Sequence, residues 1–442
     1  MSERGLRCAT IAALLLGFIP GVAAAQVPAR PVDAAVARFY AARQNGPMWF
    51  RPGSNGEAAA QLATILRRAQ LDGLANGPEL ASQVEAALVQ ARTGDKARMA
   101  AAERLISAAW VLYVQKVSAP TKGMIFGDQP PRIPNPDRIL YEAANAPSLP
   151  QHVQAVSNVN PIYAQLRATA YRQAQTAGQS PDPRLLANME RARSIPATGR
   201  FVLVDAASQR LWMYENGLPV DSMKVVVGTI ETPTPMIASM IHYATLNPYW
   251  NVPDALIRKT VAPNAIKKGL PYLKTQGYEV LSDWGANATA IPASEIDWKA
   301  VAAGQKTVRV RQLPGSDNAM GKVKFTFPNA ENIYLHDTPS KELFAKSPRT
   351  FSNGCIRLED AERFGRWLML GEDPVASSTE PEQVVKLPQG VPVYVTYLTA
   401  QPNGSELTFA DDVYGRDRDA AARVASLGAQ PAEGAEPGKA AP

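Results

Sequence analysis

The sequence predicts an α+β protein, a helical N-terminal scaffold over residues 32–195 followed by a β-rich domain over residues 200–398 with a capping insertion. Three observations predict it. Apolar residues recur at helical spacing in the first half, as in Leu62, Ile65, Leu66 and Ala69, or Ala102, Leu105, Ile106, Ala109, Trp110 and Tyr113. Near Arg200 the pattern changes to short runs rich in Val, Tyr and Phe, with Asn216-Gly217 between two of them as a hairpin turn. A long stretch, residues 248–305, then separates the strand ending near Leu246 from the one near Val308, and loops of that length inside a compact domain usually carry function.

Taken in chain order, residues 1–25 read as a secretory signal. Arg4 and Arg7 precede an apolar run, Ala9 to Ile19, that ends in Ala23-Ala24-Ala25. The run is short of the roughly 20 residues a bilayer span needs, and no later segment is longer, so a location in the periplasm without a stable membrane span is expected. Pro and Gly clusters at Pro52-Gly53, Asn76-Gly77-Pro78 and Pro130-Pro131 punctuate the helices that follow. Strands are expected at Phe201–Val204, Arg210–Glu215, Met223–Val227, Met236–Leu246, Val308–Arg311, Val323–Phe327, Ile333–His336 and Val391–Tyr397. The last stretch, residues 415–442, is rich in Ala, Gly, Pro, Glu and Asp without a periodic apolar pattern and reads as a disordered tail.

Composition narrows the function. A hydrophobic fraction of 46% suits folded cores, and a net charge of +6 without concentrated basic runs fits an anionic polymer or surface and argues against nucleic acid. Of the two cysteines, Cys8 falls in the signal and Cys355 stands alone, so an exported chain has no internal disulfide. Among three histidines, His152 and His242 have no neighbour at metal-ligand spacing, and no metal site is expected.

The chemistry gathers in one place. Ile333 to His336 reads as a strand that delivers an imidazole at its end, followed by Asp337. Sixteen residues beyond His336 begins Ser352-Asn353-Gly354-Cys355-Ile356-Arg357, a turn with the thiol directly after a glycine. A free thiol is only a few per cent ionised at neutral pH, so an imidazole that takes its proton raises the reactive fraction. That imidazole needs an acceptor on its other nitrogen, for which Asp337, by backbone or side chain, is the candidate. Backbone N–H groups around Asn353 and Gly354 are candidates for holding an oxyanion. Ser352 shapes the turn, and Arg357 has three candidate roles: lowering the thiol pKa, holding a substrate carboxylate, or bracing the turn.

This set resembles the His…Ser-x-Gly-Cys-x-Arg signature of the YkuD-type L,D-transpeptidase catalytic domain. Asn247 to Pro253, Leu313-Pro314-Gly315 and Asn188-Met189-Glu190-Arg191 resemble its larger periplasmic members, which have a helical scaffold and a substrate-capping insertion. The resemblance implies a β-sandwich-like catalytic fold, a cysteine acyl-enzyme and no cofactor. It also implies peptidoglycan stem peptides as partners, alongside other cell-wall synthesis proteins, in the organisation of the wall and cell shape. Cys355 is then the nucleophile that attacks the third-residue carbonyl of a tetrapeptide stem, and His336 the proton donor and acceptor. Terminal D-alanine leaves, and a diamino-acid amine of another stem takes the acyl group. Tyr249 and Trp250 become candidates for stem contact. The small peptidoglycan-binding module of larger relatives is missing, since only the polar stretch Thr176 to Pro183 stands where it would be. The alternatives are L,D-carboxypeptidase or D-amino-acid exchange through the same acyl-enzyme, a non-catalytic wall-binding scaffold, and an unrelated cysteine protease.

Overall fold

The computed structural model describes residues 31–43, 46–127, 131–177, 181–285, 287–373, 380–403 and 406–418; the expected signal, residues 1–25, lies outside them. The N-terminal half is helical: α1 (Pro31–Ala42), α2 (Glu57–Arg67), α3 (Gly77–Ala91), α4 (Lys96–Val117), α5 (Pro136–Asn145), α6 (Leu149–Asn158), α7 (Pro161–Ala177) and α8 (Pro183–Ala192). Side-chain caps start several of these helices. Asp95, Asn135 and Ser148 each accept a backbone N–H of the first turn, satisfying a donor that the helix leaves unpaired. The apolar stripes of α1 to α6 close on Leu62, Leu66, Ile106, Trp110 and Leu140, all essentially out of contact with water.

The β-rich half is built from β1 (Ile125–Phe126), β2 (Phe201–Asp205), β3 (Arg210–Glu215), β4 (Leu218–Gly228), β5 (Ile237–Leu246), β6 (Trp250–Asn251), β7 (Tyr278–Leu281), β8 (Ala290–Ile291), β9 (Arg309–Gln312), β10 (Val323–Thr326), β11 (Tyr334–His336), β12 (Thr350–Ser352), β13 (Ile356–Leu358), β14 (Gln383–Thr396), β15 (Ala400–Asn403) and β16 (Glu406–Phe409). Ten of them form one sheet in the order β1-β5-β10-β11-β13-β4-β3-β2-β14, with β12 beside β4. Because β14 pairs with both β2 and β5, the sheet folds over on itself. Its strands face one core of Val225, Ile241, Phe325, Leu335, Ile356, Phe364 and Val393, much as two layers of a sandwich would.

The insertion has a sheet and a core of its own. Its sheet runs β6-β9-β7-β8, and Val252, Ile257, Val261, Leu273, Trp298 and Val310 pack together beneath it. The strand at Val308–Arg311, expected from sequence to lie beyond the insertion, is β9 and belongs to this small sheet. Arg311 pairs with Glu279 of β7 at 2.6 Å, and Val310 is fully buried in the insertion's core. The unit therefore reaches past residue 305.

Helical and β halves meet through Tyr163, Leu166, Leu185 and Met189 packed on Phe201, Leu203 and Leu398. Polar anchors flank this seam. Asn188 donates to the Thr399 hydroxyl at 2.8 Å, and Arg191 reaches the Tyr397 carbonyl and pairs with Asp417 at 2.6 Å. Asp417 is buried, which corrects the expectation that disorder begins at residue 415: order persists to at least 418 because this carboxylate has two partners inside the fold, Arg191 and the Thr399 hydroxyl. The remainder of that tail lies outside the described residues.

Candidate active site

Strand register brings the chemistry-bearing residues together. β11 runs parallel to β13 with Leu335 opposite Ile356 and His336 opposite Arg357. Side chains alternate along a strand and paired residues point the same way, so Leu335 and Ile356 enter the core while His336 and Arg357 emerge on the other face. Tyr334 and Cys355, two residues earlier on each chain, share that face. Lys324, opposite His336 on β10, and Thr326, opposite Tyr334, extend it. Lys324 pairs with Glu382 at 3.3 Å, and the same carboxylate accepts the Tyr249 amide at 2.7 Å, tying the root of the insertion to the face.

His336 is 4% exposed, and its Nδ1 lies 2.6 Å from the Asp337 carbonyl. A carbonyl only accepts, so the proton sits on Nδ1 and Nε2 keeps its lone pair. The expected orienting residue is Asp337, and it acts through its backbone. Its carboxylate is occupied by Lys341 at 2.8 Å and the Lys322 amide at 3.0 Å. Burial works against the charge of that carboxyl, and these partners outweigh it, holding it below the usual range. Burial, and then the positive charge of Arg357, pull His336 down to about 4, against backbone bonds to Asp337 and Met320. The imidazole is therefore neutral at neutral pH, the state a general base needs.

This depression carries a stability consequence. The folded value lies below the ordinary 6.5, so the neutral form is the one folding favours. The stabilisation is complete above pH 6.5 and is lost as pH falls through 4. Between pH 7 and 4.5 the wild-type protein is expected to lose roughly 2–3 kcal/mol more than His336→Gln, measured by denaturant unfolding.

The thiol sits on a braced turn. Gly354 has φ of +107°, a conformation glycine accepts readily. Ser352 Oγ donates to the Cys355 carbonyl at 2.5 Å and accepts the Gly354 amide at 3.2 Å, so Ser352 shapes the turn from inside. That second bond engages the Gly354 N–H, one of the expected oxyanion donors, inside the turn. Asn353 itself is exposed.

The Cys355 thiol donates to the Asn332 carbonyl at 3.8 Å, a contact with the chain just ahead of β11. Burial pushes the thiol up, against the Tyr334 amide and the charge of Arg357. Burial thus favours the neutral form of both side chains, thiol and imidazole. Arg357 lowers the thiol pKa as one of its candidate roles required, but burial outweighs it. The Nε of Arg357 is buried without a hydrogen-bond partner.

Tyr249 and Trp250 occupy the insertion's root. The Arg311 guanidinium lies over the Tyr249 ring at 4.2 Å, and Trp250 packs half-buried against the insertion's core. On the insertion's π-helical turn, Ile257–Val261, Lys259 is near enough to Glu231, in the loop beside the thiol turn, to add to the pull of a backbone bond and Thr229 on that carboxyl. Sequence reading passed over Tyr334, Lys324 and Thr326, although alternation back from His336 signals Tyr334.

Residues 199–376 match the family model described as the L,D-transpeptidase catalytic domain, YkuD, and residues 34–169 match one described as a scaffold domain. A Haemophilus influenzae protein named "Putative L,D-transpeptidase" is 27% identical over 397 residues, 87% of this chain and 78% of its own length. Among solved structures, an L,D-transpeptidase from Mycobacterium smegmatis is similar at 14% identity and a TM-score of 0.23, over 45% of this chain and 59% of its own. A mutant L,D-transpeptidase of Enterococcus faecium is similar at 13% and 0.22, over 45% and 51%. The chain thus spans little more than half the length of those two solved proteins. No helix among the described residues is long and apolar enough to cross a membrane.

Proposed function

We propose, for a chain that carries a YkuD-type L,D-transpeptidase catalytic domain beside a scaffold domain, that Cys355 is the nucleophile and His336 its base in peptidoglycan cross-linking. The activity is that of a cysteine acyltransferase, a peptidoglycan L,D-transpeptidase. The observation that carries the residue assignment is the shared sheet face: register sets His336 beside Arg357, and Cys355 follows on the same side from a turn held by Ser352.

His336 Nε2 takes the thiol proton as Sγ attacks the third-residue carbonyl of a tetrapeptide stem. The Cys355 and Asn353 amides hold the oxyanion. As the tetrahedral intermediate collapses, the C–N bond breaks, His336 returns its proton to the departing amine, and terminal D-alanine leaves behind a thioester. A diamino-acid amine of a second stem then attacks that thioester, losing its proton to His336, and the thiol is reformed. Arg357, with its unpartnered buried Nε, holds a carboxylate of the donor stem. Tyr249 and Trp250 line the approach from the insertion, which caps the site and sheds water from the thioester. The protein works in the periplasm, delivered there by the N-terminal signal, among other wall-building proteins.

Chromatographic analysis of products from purified tetrapeptide muropeptides tests this. A cross-linked dimer with released D-alanine is expected. A shortened stem alone would make the protein a carboxypeptidase, exchange of the terminal residue would make it a D-amino-acid exchanger, and binding without any product would favour a wall-binding scaffold.

A further inference from the structure

The loop that follows β4, residues 229–234, underlies the thiol turn. Thr234 is fully buried. Its hydroxyl donates to the Gly354 carbonyl at 2.8 Å and accepts the Gly228 amide at 2.9 Å. What fixes Thr234 in turn comes from the far end of the chain. Tyr414 Oη donates to the Gly228 carbonyl at 2.8 Å and accepts the Thr234 amide at 3.4 Å, and Arg416 donates to the Thr234 carbonyl at 2.9 Å. Both peptide groups that aim the Thr234 hydroxyl are therefore held by residues beyond the matched catalytic domain, which ends at residue 376.

The holding residues are themselves locked. The Tyr414 ring stacks on Tyr397 at 5.2 Å, and the Arg416 guanidinium lies over both rings. Asp412 accepts the Tyr397 hydroxyl and the amides of Arg416 and Asp417, each at 2.9 Å. Asp417 then pairs with Arg191 of α8, so one continuous set of bonds runs from the scaffold helix to the carbonyl next to the thiol.

We infer that residues 412–417 are a positioning segment for the nucleophile: Tyr414 and Arg416 hold Thr234, Thr234 holds the Gly354 carbonyl, and the Gly354–Cys355 peptide is thereby aimed. The inference rests on Cys355 being the nucleophile. Neither residue touches substrate. A turn displaced by a fraction of an ångström leaves binding intact and slows attack, since reacting atoms must approach in a narrow range of distance and angle.

The experiment uses the full mature chain with tetrapeptide muropeptides. Tyr414→Phe removes one hydroxyl and keeps the ring stack, so it leaves the fold in place. Thr234→Val removes the next link, and Thr234→Ser restores it. Tyr414→Phe and Thr234→Val are expected to lower kcat roughly tenfold with KM within twofold, and Thr234→Ser to recover most of the rate. Their rates of Cys355 alkylation by iodoacetamide shift in step with kcat. If Cys355→Ala is inactive while both variants keep wild-type kcat, the positioning role is wrong and the nucleophile assignment survives. If Cys355→Ala stays active, the assignment itself fails. A loss of kcat in Tyr414→Phe that follows only a lowered melting temperature, with alkylation unchanged, would also overturn the inference.

Discussion

Cys355→Ala is expected to abolish D-alanine release and cross-linking, by on the order of 10⁴-fold or more, while leaving the fold unchanged. The side chain is half-buried and its thiol meets only backbone groups, the Asn332 carbonyl at 3.8 Å and the Tyr334 amide, so its removal disturbs little packing. Every covalent step of the proposed mechanism needs its sulfur. The hydroxyl beside it on the shared face is that of Tyr334, and burial, then the nearness of Cys355, raise its pKa and keep it protonated. Steady-state D-alanine release together with far-UV circular dichroism checks both halves of this expectation.

Gly354→Ala is the second large effect. A φ of +107° strains any side-chain-bearing residue, and a Cβ there would stand 3.0 Å from Ile333 Cδ1. Holding the turn in place costs about 1–3 kcal/mol of stability. Relaxing it moves the thiol and the Cys355 amide together, and a shift of about an ångström costs around 10²-fold in rate. The expected result is a drop in kcat/KM on the order of 10²-fold with a measurable fall in melting temperature. Wild-type kinetics in this variant would mean that the turn's geometry is not used.

The sequence made the architecture legible where period and punctuation agree. Helical spacing marked α2 and α4, and the Asn216-Gly217 turn marked the β3–β4 hairpin. The thiol's own strands escaped notice because β12 and β13 are three residues each, too short for alternation to register. The first part of β14 was hidden by Leu387-Pro388-Gln389-Gly390, which reads as a turn. The strand passes through it with an irregular register between Lys386 and Val391. β9 was read as lying beyond the insertion because strand pairing is a tertiary matter that composition does not encode.

At the site, His336, Ser352, Gly354, Cys355 and Arg357 were readable as residue types in a spacing. Their electrostatics were not. Burial depends on the elements that cover a side chain, and here it sets His336 low, with Arg357 adding to it, and Cys355 high, against the Tyr334 amide and Arg357. The engagement of the Gly354 amide by Ser352 also needs coordinates, since a turn's internal bonds compete with its use as an oxyanion donor. Tyr414 and Arg416 lie about sixty residues downstream of the thiol, where the chain passes into a stretch whose composition reads as tail, and no local pattern points to them.

The central claim, a thioester on Cys355, is tested most directly by intact-mass spectrometry of the mature protein mixed with a tetrapeptide stem and quenched in acid. Wild-type protein is predicted to gain the mass of the stem less D-alanine, and Cys355→Ala to gain nothing. An adduct of equal mass on Cys355→Ala, or D-alanine released equally by both proteins, would contradict the account.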